Sequence, residues 1–354
     1  MISADQFERM HLWMPLVRTG TGSEVYTRVL AQGLQDRGHT VTIDEVAHAY
    51  QYMPWLAPIR PPADTDIVFA NSWNAAAFAR RGLPTISVCH LVVHVPELSA
   101  FKSAAQAAFH SHFVKPMERA AVRKAALNVA VSPTVAGQMR QLFDAKNVHV
   151  IENGVDTSFF CPPSSSRPAR KSEHPLQLLF VGKPSLRKGF DIIAKIVDCF
   201  GDQVDLTCVG EKPAGDLPIP KAIYTGFLDK EGVREAYRSA DLLLFPSRME
   251  GYGLAAAEAM ACGLPVACCV NTAVDDLIPD GGGIIRSPDD IEGFVADIGL
   301  LLDDVERLAQ MRKMVRLHAT EHLTQIRWIG EMEKAMKGLL SAQGHLTKNS
   351  LMNR

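Results

Sequence analysis

The chain has 354 residues, too many for one ordinary core and suited to two α/β domains. Its 47% hydrophobic and 21% charged residues are an ordinary globular composition, and a net charge of -2 excludes the global basic field of a nucleic-acid binder. Seven cysteines, an odd number with no C-x-x-C pair, argue against a disulfide framework or a zinc site and for a reducing compartment.

The opening MISADQFERM lacks the apolar core of a signal peptide, so a cytoplasmic location is expected. Residues 11–17 read as a strand, followed by the turn RTGTGS and a helix with Val25, Val29, Leu30 and Leu34 at helical spacing and Gly38 as its stop. Strand TVTIDEV, a proline-rich loop over 54–62, strand DIVFANS, a short helix and strand PTISVCH come next. Residues 97–127 read as a long helical region with Pro116 as a kink, before strand LNVAVS, helix 133–143 and strand VHVIENG. A polar, proline-rich loop over 161–175 marks the passage to a second half with the same rhythm. Its strands are LQLLFVG, VDLTCVG, AIYTG, DLLLFPS and PVACC, and helices near 289–320 and 322–341 end the chain. Alternation of this kind predicts parallel sheets covered by helices on both faces. The apolar run 253–270 holds Glu258 and Pro265, so it reads as a helix and a buried strand, not a membrane span.

The strongest chemical signal is DLLLFPSRMEGYGLAAAEAMACGLPVA at 241–267. A strand ends at Pro246-Ser247, and the turn Glu250-Gly251-Tyr252-Gly253 leads into a helix starting near Leu254. Glycines let the backbone approach a ligand, and the first amides of a helix suit a diphosphate. Glu258 lies in an otherwise apolar helix, where a carboxylate is costly unless paired; sugar or ribose hydroxyls are natural partners. The plainer reading makes Glu250 a cap-side charge and Glu258 half of a buried ion pair.

A second signal is LLFVGKPSLRKGFD at 178–191, where a strand ends at Gly182 and delivers Lys183, Arg187 and Lys188 into one loop. Three cations at a strand's carboxyl end can clamp a phosphate, although such runs are more often solvated loops. IENGVD at 151–156 carries an Asn-Gly turn signal with positive φ. The turn Gly20-Thr21-Gly22-Ser23, with Asp44 22 residues beyond Gly22, is an incomplete dinucleotide fingerprint because Val25 stands where the third glycine belongs. His90 ends strand PTISVCH at a carboxyl edge, with His94 close by; a lone histidine there is more often structural. Asp64-Thr65-Asp66 precedes a strand and reads as a loop, not a metal site.

Taken together, E-G-Y-G-L followed by E-A-M-A-x-G-x-P-V, with NGVD, strand-G-K…K-G and A-D-x-x-L-x-P-S in order, resembles the retaining GT-B glycosyltransferases of family GT4. The resemblance spans about 18–330 and implies two Rossmann-like domains with parallel sheets facing across a cleft. It implies an acceptor-binding domain over 1–152, joined by a C-terminal helix over about 322–354, and a nucleotide-sugar-binding domain over 153–321. Glu258 matches the glutamate that holds the donor ribose, Glu250 the one near the donor sugar, Lys188 the lysine on the diphosphate, and His90 the cleft histidine near the sugar. Backbone groups at Gly251, Tyr252, Gly253 and Leu254 would meet sugar and phosphates, those near Gly226 and Phe227 the base, and Gly22 belongs to the first glycine loop. The family usually has arginine where this chain has Lys183, which keeps the charge but loses bidentate phosphate binding.

The implied activity is metal-independent, retaining transfer of a hexose-type sugar from a UDP- or GDP-sugar, with no cofactor, to a glycan, lipid-linked or small-molecule acceptor. Two alternatives stay open: an NAD-dependent oxidoreductase using the Gly20/Gly22 turn, and a non-catalytic nucleotide-sugar-binding protein on the same fold. Residues 97–126 carry five cations against two acids and three phenylalanines, so they read either as a peripheral contact with the inner face of a membrane or as a helix with a solvated face.

Overall fold

A computed structural model describes residues 9–164, 174–213 and 218–352, so most of the opening decapeptide and of the 161–175 loop lies outside the described residues. In chain order the first stretch forms β1 (His11–Val17), α1 (Gly22–Asp36), β2 (Thr40–Val46), β3 (Ile67–Asn71), α2 (Ala75–Phe78), β4 (Thr85–Cys89), α3 (Ala104–Phe109), α4 (Lys115–Lys124), β5 (Leu127–Ala130), α5 (Pro133–Phe143) and β6 (Val148–Val150). The second forms β7 (Leu176–Val181), α6 (Phe190–Phe200), β8 (Val204–Val209), β9 (Ile223–Gly226), α7 (Lys230–Ser239), β10 (Leu242–Phe245), α8 (Leu254–Ala261), β11 (Val266–Cys269), β12 (Gly283–Arg286), α9 (Ile291–Asp303) and α10 (Val305–His322), and α11 (Gln325–Met352) closes the chain. The apolar run of 253–270 is thus α8 and β11, as its glutamate and proline require, and no helix among the described residues is long and apolar enough to cross a membrane.

The chain divides into two units, Met1–Glu152 with Ile326–Arg354, and Asn153–Gln325. The first holds a six-stranded sheet in the order β2-β1-β3-β4-β5-β6, all parallel. Its core packs Trp13 edge-on against Phe78 at 6.0 Å, with Val68 and Ala121 around them. The buried face of α1 is Tyr26, Leu30, Gly33 and Leu34. Val25, expected on that face, is 57% exposed, because the helix is rotated by about one residue to set Tyr26 against Trp328 of α11. Gly33 gives α11 its room: a Cβ there would stand 2.1 Å from Ile329 Cδ1.

The long helical region of 97–127 is broken, but not at Pro116. A π-helical turn over His110–Val114 joins α3 to α4, and Pro116 sits in the first turn of α4. Proline has no amide to donate and clashes with the carbonyl four residues back, and a one-turn π-bulge just before it relieves both.

The second unit's sheet runs β12-β11-β10-β7-β8-β9, again parallel. Its core is aliphatic and aromatic, with Phe180 of β7 and Phe190 of α6 fully buried edge to face at 5.1 Å. Strand order reverses between β7 and β10, and ligands of open α/β sheets bind outside the carboxyl ends of the strands at such a switch point.

Candidate functional site

The carboxyl ends of β7 and β10, at the switch point of the second sheet, carry the two loops singled out in the sequence. Gly182, at φ +136°, donates its amide to Val209 O at 3.0 Å and turns the chain out of β7. Lys183 then projects to solvent, and among the described residues it has no ion-pair partner. Arg187 and Lys188 reach the other way. The guanidinium of Arg187 donates to Met249 O at 2.8 Å and lies 3.5 Å from Glu250 Oε1, and the ammonium of Lys188 donates to the same oxygen while sitting 4.7 Å from the Phe245 ring. Glu250 is therefore neither a cap nor a lone charge; it is the anion around which both cations gather.

Two residues make this possible, Gly189 of the K-G pair and Arg248, for which the sequence suggests no role. Gly189, at φ +70°, starts α6 where a Cβ would stand 2.0 Å from Pro246 O, so only glycine lets the loops after β7 and β10 touch. Arg248 locks them: its amide donates to Arg187 O at 2.9 Å, and its guanidinium makes two 2.7 Å bonds to Asp191. The K-G pair was legible; the Arg248–Asp191 bridge spans 57 residues and leaves no local pattern.

From the same turn Gly253, at φ +99°, opens α8 with no side-chain cap and no acid in its first turn, so the helix offers its free amides and positive end to an anion. Gly251 and Tyr252 are buried in this turn, and Tyr252 points inward, its hydroxyl donating to Asn153 O at 2.6 Å. Tyr252 can thus meet a ligand only through its backbone. Further along α8, Glu258 is held by Tyr237 of α7, whose hydroxyl donates to Oε2 at 3.0 Å. Burial pushes the Glu258 carboxyl up to about 7, with the Tyr237 hydroxyl and the Lys230 charge pulling the other way. Among the described residues Glu258 has no cation within ion-pair distance, so it is not the buried ion pair of the plainer reading. Gly226, at φ +74°, ends β9, and Phe227 beside it is 80% exposed.

Asn153-Gly154 is not the left-handed turn that its dipeptide suggests, since neither residue has positive φ. Gly154 is required because a Cβ would meet Thr324 O at 2.4 Å, where Val155 and Thr324 pair as a bridge.

In the first unit, Gly22 starts α1 and Gly20 has φ +64°. The amides of Thr19 and Gly20 donate to Glu24 Oε2 at 3.2 and 3.1 Å, so the loop that would cradle a dinucleotide phosphate is filled by its own carboxylate. Asp44, the acid expected to hold a ribose in that reading, accepts the Trp13 indole N–H at 2.8 Å. Asp64 and Asp66 both bind His11, at 3.0 and 2.7 Å, at the amino edge of the sheet and away from its ligand-binding carboxyl edge. His90 follows β4 with its ring 4.6 Å from Tyr26, and burial pushes its pKa down to about 4, so it is neutral at pH 7. His94 is committed elsewhere, to the buried Glu118 at 2.8 Å.

Comparison with known proteins addresses the family and the fold. A model described as Glycosyltransferase Family 4 matches residues 44–159, and one described as Glycosyl transferases group 1 matches 175–304, together more than half of the chain. A D-inositol 3-phosphate glycosyltransferase of Salinispora tropica is 28% identical over 330 residues, covering 81% of this chain; the chain spans 65% of that relative's length. Among solved structures, the sucrose-phosphate synthase from Thermosynechococcus elongatus matches with a TM-score of 0.77 at 17% identity over 94% of this chain and 100% of its own. An Anabaena protein solved in complex with UDP matches at 0.72 and 16% identity, over 93% of this chain and 100% of its own. At that identity the structures speak for the fold, two Rossmann-like sheets of the GT-B class. The oxidoreductase reading of the Gly20/Gly22 turn falls with Glu24 and Asp44 already engaged and with both family models pointing to sugar transfer. The chain belongs to the group 1 glycosyltransferases of family 4.

Proposed function

We propose that the chain transfers a hexose-type sugar from a UDP- or GDP-sugar to a glycan, lipid-linked or small-molecule acceptor, with retained anomeric configuration and without a metal ion. The observation that carries this reading is the meeting of Arg187, Lys188 and Glu250 beside the uncapped start of α8, at the switch point of the second sheet. On this reading the donor diphosphate lies over the first turn of α8, where the amides from Gly251 to Leu254 and the charges of Lys183, Arg187 and Lys188 receive it. The ribose hydroxyls donate to Glu258, and Glu250 orients the sugar while holding Lys188 in place. The base lies near Gly226, with the open ring of Phe227 as a stacking surface.

Chemistry then needs little else. The bond from the anomeric carbon to the diphosphate oxygen breaks, and the acceptor oxygen bonds to that carbon on the same face. The acceptor's proton passes to the departing phosphate oxygen. Lys188 and the α8 dipole stabilise the charge that develops on the leaving group. His90, neutral at pH 7, serves a substrate hydroxyl as a hydrogen-bond partner. The first unit takes the acceptor and the second the donor.

The structural relative solved in complex with UDP puts a UDP-sugar first in the donor screen. Thermal unfolding is followed with UDP, GDP, ADP and NAD⁺, on the parent and on Glu258→Ala. A ligand at about 100 times its Kd adds roughly 2.7 kcal/mol, so the right nucleotide gives a clear shift. One nucleoside diphosphate should stabilise the parent and not the variant. Stabilisation by NAD⁺ alone would overturn the reading, as would activity abolished by EDTA and restored by Mn²⁺. A parent that binds the nucleotide yet turns over no donor would favour the non-catalytic binding protein.

A further inference from the structure

The first unit carries an apolar face that its own folding does not use. Helix α3 buries none of its residues, although it reads AAQAAF. Phe113, one turn on, is 57% exposed. A second segment, 52–56, exposes Tyr52, Met53, Trp55 and Leu56 at 47%, 49%, 59% and 57%. The two segments are one surface: the rings of Tyr52 and Phe109 lie 5.3 Å apart, and Phe109 stacks on Phe113 at 5.7 Å. Single exposed apolar residues need no explanation, but a contiguous patch with tryptophan and tyrosine marks a contact surface.

The charge around the patch says which contact. Lys115 lies two residues after Phe113, and Arg119, Arg123 and Lys124 are exposed along α4. The acid among them, Glu118, is fully buried, accepting from Ser72 Oγ at 2.9 Å and pairing with His94 at 2.8 Å. Glu118 is spent inside the fold, so of the two acids in 97–126 only Glu97 is exposed, against the exposed Arg119, Arg123 and Lys124. Arg60 adds a cation beside the other segment. A second copy would bring a like-charged rim against this one. A bilayer with anionic lipids offers the complement: headgroup phosphates for the cations and an interfacial layer for amphipathic rings.

We propose that this face docks on an anionic membrane surface, with Tyr52, Trp55, Leu56 and Phe113 in the headgroup layer and Lys115 and Arg119 over lipid phosphates. The contact is peripheral, and it goes beyond the transfer reaction because it needs neither donor nor acceptor.

The test is co-sedimentation of the full chain with vesicles of phosphatidylcholine alone or mixed with phosphatidylglycerol, at low and raised salt, with tryptophan emission as a second readout. The parent should bind the mixed vesicles, shift its emission to the blue, and release as salt rises. Trp55→Ser with Phe113→Ser should weaken partitioning by about tenfold or more at unchanged Tm, since both side chains are exposed. Lys115→Ala with Arg119→Ala should remove the preference for anionic vesicles. Absence of binding to mixed vesicles, or unchanged binding by the Trp55/Phe113 variant, overturns the proposal. So does a concentration-dependent dimer that the same variant abolishes, which would assign the face to a second copy.

Discussion

Lys188 donates to Glu250, so on the proposed reading a diphosphate competes with that carboxylate for the ammonium. Lys188→Ala should therefore lower kcat by about 10²-fold or more with donor affinity less affected, measured by steady-state kinetics on the donor. A near-normal kcat would remove Lys188 from the leaving-group role. Glu258 makes a pH-dependent prediction. Its pKa in the folded chain, about 7, lies above that of a carboxyl in the unfolded chain. The empty protein is then more stable below the ordinary carboxyl pKa and loses that increment as pH rises through 7. Ribose hydroxyls donate to the ionised form, so nucleotide affinity should fall as pH drops below 7, by up to about tenfold per unit. Titration calorimetry at pH 6 and 8 checks this, and Glu258→Gln should flatten both the affinity profile and the stability profile. Equal affinities at the two values would place the ribose elsewhere.

At the level of elements, the site depends on where two helices begin. Both α6 and α8 start from a glycine in the left-handed region, and neither has a side-chain cap. Gly189→Ala would drive a Cβ into Pro246 O and also strain a positive φ, so it should cost about 2 kcal/mol or more by denaturant unfolding and blunt the nucleotide-induced Tm shift. Gly22→Ala, where nothing lies within 4 Å of the added Cβ, is the matched control and should leave both measurements close to the parent's. Strand-to-helix alternation, the breaks at glycine and the E-G-Y-G-L turn were all legible because each depends on neighbours within one turn. The rotation of α1 that exposes Val25 was not, because Tyr26 is turned inward by Trp328, 302 positions away in a helix from the other end of the chain.

Across the whole molecule, the chain builds most of one unit, makes the second entire, and returns to finish the first with α11. That return is a core element: Trp328 is 2% exposed, Met332 and Met336 are fully buried, and Glu333 ties the helix to Arg37 at 2.7 Å and His39 at 3.2 Å. Trp328→Ala should cost about 3–5 kcal/mol, read by denaturant unfolding, because the cavity opens beside Tyr26. A loss under about 1 kcal/mol would mean that α11 only rests on the first unit.

The sequence by itself determined the two parallel sheets, the family, and the positions of the loops after β7 and β10. The sheets and loops are written in local periodicity and in glycine and proline placement, which short-range sterics enforce, and the family in the ordered motifs that the chain shares with it. Only the tertiary structure decided the electrostatics. It brought Lys188 and Arg187 onto Glu250 across more than 60 residues, gave Asp191 to Arg248, and set Tyr237 on Glu258. It also put Glu24 into the first glycine loop and buried Glu118 out of the surface field. A charge's role depends on the partner and the solvent around it, and both are fixed by packing between elements distant in the chain.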